Sequence, residues 1–199
     1  MRRDALQAMR RDALQAEPSG APGGAAMDLI SRARRVSLLV LDVDGVLTDG
    51  GLWYDADGTI RKRFHVHDGL GIKLAQQAGV EVAMISGLDQ GAAAARAREL
   101  GISEYHGGHV RKLPVLTDIL ARKGLTFEQT AFLGDDWVDA PVLARVGLPM
   151  AVADAQPEIL DMALWVSRRP GGQGAVREAI RFLLSAQGRL AGLWQAWER

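Results

Sequence analysis

From residue 28 onward, short unbroken apolar runs alternate with helix-like stretches, and this alternation narrows the fold more than any other feature. The strand candidates are residues 37–42, 81–85, 130–133, 150–152 and 165–167. Helical stretches fall between them at 69–78, 90–100, 113–123, 140–146 and 157–162, with a last helix over 175–186. Strands that read as continuous Val/Leu/Ile runs are buried on both faces, which predicts an α/β fold with a mainly parallel sheet covered by helices on both sides. Gly79, Gly101, Gly124, Gly147 and Gly188 stand where those helices should stop.

One segment interrupts the rhythm. Residues 52–54 and 59–66 flank DADG at 55–58, the pattern of a β-hairpin with a glycine-containing turn. It follows directly after the first strand and would stand above that strand's carboxyl end.

In open α/β sheets ligands bind beyond the carboxyl ends of the strands. The first strand ends in Asp42 and Asp44, the second in Ser86 and Gly87, and the third in GDDWVDA, which carries Asp135, Asp136 and Asp139. Lys112 opens the intervening helix. Acids two apart in an extended strand share a face, about 6.5 Å from each other. Such carboxylates repel unless a cation intervenes, and a hard cation such as Mg²⁺ takes carboxylate, water and phosphate oxygens. Asp135 can complete the cluster, and Gly45 permits both a sharp turn and close approach of a phosphate.

Other residues have blander readings. Lys123, near a helix end, suits capping. His65 and His67 lie two apart and would share a hairpin face, but a third ligand for zinc is missing. Ala92–Ala95 with Arg96 and Arg98 reads as a good helix with a solvated face.

In this company DVDGV, ISG, Lys112 and GDDWVD resemble, in order, the four motifs of haloacid dehalogenase (HAD) superfamily phosphatases. DVDGVLTDGGLWYDADG, FHVHDGLGIKL, VADAQP and GGQGAVREAI narrow the resemblance to the 3-deoxy-D-manno-octulosonate 8-phosphate (Kdo-8-phosphate) phosphatase branch, over residues 36–190. The resemblance implies a Rossmann-like HAD fold with a hairpin flap and no large cap domain. It makes Asp42 the nucleophile that forms an aspartyl-phosphate, and Asp44 the acid and then the base. Asp42, the Asp44 backbone carbonyl and Asp135 would hold Mg²⁺, while Ser86 and Lys112 would bind phosphoryl oxygens. Asp136 and Asp139 would orient Lys112 or metal-bound water. Gly45 and Gly87 would sit against the phosphate.

A sugar-acid substrate also needs a cation for its carboxylate. The candidates are Arg61, Arg63, His67, Lys73 and Arg177, with His67, Lys73 and Arg177 ranked first. The chain departs from the branch at Leu88, His67 and Gln173, where arginine is common. Those departures leave 2-keto-3-deoxynononate 9-phosphate as an alternative substrate. The gaps from Asp44 to Ser86 and from Lys112 to Gly134 are too short for a cap. The branch closes its sites by forming homotetramers, with neighbouring subunits walling each site. Leu52, Trp53, Tyr54 and Phe64 give the hairpin more apolar surface than an isolated hairpin should expose. Trp194 and Trp197 in the C-terminal stretch would share one side of a helix, packing on their own subunit or reaching a neighbour.

The remaining features bound the setting. The chain has 199 residues, 48% hydrophobic, enough for one domain with a real core. Lys+Arg and Asp+Glu are 24 each, so no global charge draws it to nucleic acid or anionic membranes. There is no cysteine, which fits a reducing cytoplasm and excludes thiolate chemistry. No apolar run approaches the roughly 18 residues of a membrane span, and no signal peptide is evident. MRRDALQA occurs twice in tandem at 1–8 and 9–16, followed by a Pro/Gly/Ala linker. Residues 1–26 read as a flexible extension, with Met27 a candidate alternative start, 27–190 as the phosphatase domain and 191–199 as a tail. A receiver-type signalling module would carry its phospho-acceptor on the third strand, and nothing like it follows residues 81–85; a catalytically dead assembly domain is the other rival.

Overall fold

The computed structural model describes residues 23–89 and 91–198; the duplicated octapeptide lies outside them. Six strands form one parallel sheet in the order β5-β4-β1-β6-β7-β8. They are β1 (Leu38–Leu41), β4 (Glu81–Ile85), β5 (Glu104–His106), β6 (Thr130–Gly134), β7 (Leu148–Ala151) and β8 (Trp165–Val166). Two further strands, β2 (Trp53–Tyr54) and β3 (Ile60–Arg61), pair antiparallel as a separate hairpin.

The central strand explains the arrangement. LLVL of β1 is buried at every position, which an amphipathic sheet with one wet face could not accommodate. Each such leucine contributes about 1.5–3 kcal/mol through burial. Helices therefore cover both sides. One group comprises α1 (Gly23–Arg35), α2 (Val66–Gln77) and α7 (Ala175–Ala186), with α8 (Leu190–Trp197) against α7 and α3 (Gly91–Leu100) against α2. The other comprises α4 (Lys112–Lys123), α5 (Ala140–Leu143) and α6 (Pro157–Met162).

The register sets the site. Leu41 of β1 pairs with Met84 of β4 and Leu133 of β6. Asp42 follows Leu41 directly, and Ser86 and Asp135 stand two positions beyond Met84 and Leu133, so three neighbouring strands deliver them to one rim. Among the described residues no large cap separates this rim from solvent.

Several elements differ from the sequence reading. Strand β5 was not anticipated, because EYH is short and only half-buried. Helix α1 was likewise missed, whereas α8 is the helix that the spacing of Trp194 and Trp197 allowed for. The hairpin is shorter than expected: its return strand stops at Arg61, and α2 begins at Val66 rather than residue 69. The His65 ring causes this, accepting a hydrogen bond from His67 N at 3.2 Å and capping the helix. His65 and His67 are therefore a cap and a first-turn residue, not two positions on a strand face.

Phe64 packs against the core, with the Arg96 guanidinium 5.8 Å from its ring centre. Arg96 is thus drawn inward, donating to His65 O, instead of lining a solvated face. Lys123 stands in the last turn of α4 and also pairs with Glu81 at 2.6 Å. Trp53 and Tyr54 do stand exposed on the hairpin, as do Trp194 and Trp197 on α8.

Candidate active site

Asp42 and Asp44 leave β1 in a tight turn, and the two acids are held by different lysines. Asp42 is buried, and its Oδ1 lies 2.6 Å from Lys112 Nζ. The same ammonium lies 2.6 Å from Asp139 Oδ1. Lys112 is fully buried at the first turn of α4, where the helix dipole disfavours a cation. Its two carboxylates reverse that preference: burial works against its charge, but Asp42 and Asp139 hold its pKa above the ordinary lysine value.

Asp44 faces elsewhere. Its Oδ1 and Oδ2 lie 2.7 and 2.8 Å from Lys62 Nζ, the latter a hydrogen bond. Ser86 Oγ approaches Asp44 Oδ2 at 3.4 Å and accepts from Leu88 N at 3.2 Å. Leu88 itself is exposed.

Glycines make this density of charge possible. Gly45 adopts φ +94°, and a Cβ there would stand 2.0 Å from Asp135 Oδ2. A Cβ on Gly134 would stand 2.5 Å from Asp139 Oδ2. Without it, Asp139 folds back to accept from Asp135 N at 3.0 Å. Thr48 pins the turn from within, donating to Val43 O and accepting from Gly45 N and Gly50 N. From outside, Gly172 N donates to Val46 O at 2.9 Å, and Gly171 N to Asp154 Oδ1 at 2.8 Å. The VADAQP and GGQGA segments are thereby locked to the turn after β1.

The donor set fits a hard divalent cation. Asp42, Asp135 and Asp139 each offer an oxygen within 4.8 Å of the others, and Asp135 Oδ1 is buried without a hydrogen-bond partner. Burial, with Asp42 and Asp139 alongside, pushes Asp135 up to about 9. Burial also raises Asp42 to about 6, against the pull of Lys112. Four carboxylates, those of Asp42, Asp44, Asp135 and Asp139, face two ammonium groups, Lys62 and Lys112. The two uncompensated negative charges match one divalent ion. Asp44's carboxylate stands outside the cation-binding trio, consistent with only its main chain serving a metal.

Comparison with known proteins matches residues 101–180 to the haloacid dehalogenase-like hydrolase family. The 3-deoxy-D-manno-octulosonate 8-phosphate phosphatase KdsC of Escherichia coli K12 is 42% identical over 84% of this chain and 89% of its own length. The chain belongs to the Kdo-8-phosphate phosphatase family. A probable YrbI family phosphatase from Pseudomonas syringae superposes with a TM-score of 0.85 at 44% identity, covering 87% of this chain and 98% of that one. The Kdo-8-phosphate phosphatase of Moraxella catarrhalis, solved with magnesium, phosphate and KDO, gives 0.84 at 31% identity, covering 85% and 98%.

Within this Kdo-8-phosphate phosphatase fold, Asp42, Asp44, Gly45, Ser86, Lys112, Asp135 and Asp139 come together as the motifs implied. Asp136 does not reach Lys112. It is exposed, and its carboxylate accepts from Trp137 N at 2.6 Å, capping a short 3-10 turn. Of the three ranked specificity cations, Lys73 has a side-chain partner elsewhere. Lys73 donates to Leu100 O at 2.7 Å, at the end of α3, where a cation complements the helix terminus. His67 is exposed on the first turn of α2. Arg177 donates its main-chain N to buried Asp68 at 2.7 Å, and burial with Arg181 beside it pushes its guanidinium pKa down.

Sequence reasoning passed over Lys62. Arg61 and Arg63 drew attention, yet they turn outward to Asp55 and Asp49. The alternation of an extended chain, with neighbours on opposite sides, was the available signal that the middle residue points in.

Proposed function

We propose that this chain hydrolyses Kdo-8-phosphate to Kdo and phosphate through an aspartyl-phosphate on Asp42, in the cytoplasm, for lipopolysaccharide synthesis. The observation that carries the reading is the division of the two neighbouring acids. Asp42 is clamped with Lys112, and Asp44 is kept apart on its own cation.

In this mechanism an Asp42 oxygen attacks phosphorus, and the bond from phosphorus to the sugar oxygen breaks. Asp44 donates a proton to that leaving oxygen. It then takes a proton from the water that attacks the aspartyl-phosphate, releasing phosphate and restoring Asp42. Lys112 lessens the repulsion between Asp42 and the incoming dianion and stabilises the transferred group, while Asp139 orients Lys112. Ser86 and the Gly87 and Gly45 backbone face the phosphoryl oxygens. Magnesium, held by Asp42, Asp135 and the Asp44 main-chain carbonyl, would supply further neutralisation of phosphate charge when bound.

Residues 27–190 form the catalytic unit in this reading, with 1–26 an extension and 191–199 a tail. The exposed Trp53 and Tyr54 of the hairpin, with Trp194 and Trp197 of the tail, support a homotetramer whose neighbours wall each site. His67 and Arg177 remain candidates for the substrate carboxylate in such an assembly. Lys73, engaged by Leu100, is less available for it.

The test is phosphate release from Kdo-8-phosphate, 2-keto-3-deoxynononate 9-phosphate and simple sugar phosphates, with and without magnesium. Strong preference for Kdo-8-phosphate is expected, with no turnover by Asp42→Asn. Equal rates across the panel would overturn the substrate, and turnover by the folded variant would overturn the mechanism.

A further inference from the structure

Lys62 stands outside every motif that located the site. It follows the hairpin strand β3, eighteen positions from Asp44, and its side chain is fully buried while Arg61 and Arg63 on either side remain exposed. A buried ammonium is unfavourable unless a carboxylate meets it. Here the partner is the very acid that must stay free to move protons.

Asp44 has few other restraints. Among the described residues its only other side-chain hydrogen bond is from Ser86 Oγ, at a long 3.4 Å. Meanwhile Asp42, two positions earlier, is drawn with Asp135 and Asp139 into the group suited to a cation. Without a restraint of its own, the Asp44 carboxylate could turn towards the same cation and become a ligand instead of a proton carrier.

We infer that Lys62 is a positioning residue: it holds the Asp44 carboxylate towards the hairpin side of the site, where the leaving oxygen arrives, and away from the cation-binding trio. The inference rests on the proton-transfer role of Asp44 given above. It makes the hairpin part of the catalytic assembly as well as a wall. Lys112 serves the attacking acid and Lys62 serves the proton-transferring acid, each from a different part of the chain.

The test uses the full-length enzyme with saturating magnesium and two substrates. Kdo-8-phosphate has an alkoxide leaving group that needs a proton, whereas p-nitrophenyl phosphate has a phenolate that leaves without one. The value of kcat/KM covers substrate binding and the first phosphoryl transfer, and leaves out hydrolysis of the aspartyl-phosphate. Lys62→Met is expected to lower kcat/KM for Kdo-8-phosphate by roughly 100-fold or more and for p-nitrophenyl phosphate by only a few-fold. In an Asp44→Asn background it should add almost nothing, because its effect passes through Asp44. Lys62→Gln replaces Lys62→Met if the latter does not fold, with thermal melts confirming the native state.

Equal losses on both substrates would overturn the positioning role and make Lys62 a phosphate contact. Unchanged kinetics would overturn it outright. The underlying reading fails separately, if Asp42→Asn or Asp44→Asn turns over Kdo-8-phosphate at the wild-type rate.

Discussion

Gly45 and Asp135 approach so closely that a single added carbon on Gly45 would lie 2.0 Å from the Asp135 carboxylate oxygen, with the backbone already at φ +94°. Neither relief is available to an L-residue. Gly45→Ala is therefore expected to displace either the catalytic turn or Asp135. We expect roughly 100-fold lower kcat and weaker magnesium binding by calorimetry. Wild-type magnesium affinity in the folded variant would show that the contact is dispensable.

The acid trio predicts how pH and metal interact. Without metal, burial and neighbouring acids raise Asp135 to about 9, and burial raises Asp42 to about 6. Both exceed the unfolded carboxylate value, so the folded chain binds more protons than the unfolded chain between the two pKa values. The stability they contribute is complete below about pH 4 and declines as pH rises towards about 9. Magnesium relieves the same repulsion without protons. Its effect on Tm should therefore be larger near pH ~8.5 than near pH ~6, on the order of several degrees more. Proton release on titrating magnesium into weakly buffered protein checks this directly. A pH-independent shift without proton release would contradict it.

Lys112→Met removes the cation from a fully buried cluster and leaves Asp42 and Asp139 facing each other. Breaking a buried ion pair by deleting one partner costs about 3–5 kcal/mol. Urea titrations with a chelator present should show a loss of that order, reduced by magnesium. A loss below about 1 kcal/mol under chelation would mean that the remaining carboxylates are neutral in the folded state.

Two glycines allow a paired comparison. A Cβ on Gly171 would stand 1.6 Å from Gly45 O, within the contact that braces the catalytic turn. A Cβ on Gly188 meets nothing, and only its φ of +69° resists substitution. Gly188→Ala should cost about 1–2 kcal/mol and leave kcat intact. Gly171→Ala should cost more and also lower kcat by roughly tenfold or more. Equal effects on kcat would argue against the brace.

The sheet and the acid cluster were legible in the sequence for related reasons. Continuous apolar runs such as LLVL have no stable alternative to burial, and acids at their ends stand out against that background. Lys62 was not legible in the same way, because a lysine between two arginines in a hairpin looks like an ordinary solvated run. Its inward turn is decided by the path of the chain after β3. Lys73 shows the opposite difficulty: the sequence offers a suitable charge near the right segment, and the fold engages it at the end of α3. His65 and His67 were misplaced because a side-chain cap started α2 earlier than its apolar spacing indicated.

The register of β1 with β4 and β6 has an evolutionary consequence. Asp42, Ser86 and Asp135 are fixed by interior strands whose packing tolerates little change, whereas Leu88, Gln173 and the exposed part of the hairpin hang from surface turns. Drift in those turns can retune which sugar acid is admitted without touching the bond-breaking atoms. Lys62 is the exception, since it ties one turn back to the chemistry. A lineage exploring new substrates through this hairpin would be free to vary either neighbour of Lys62 long before Lys62 itself.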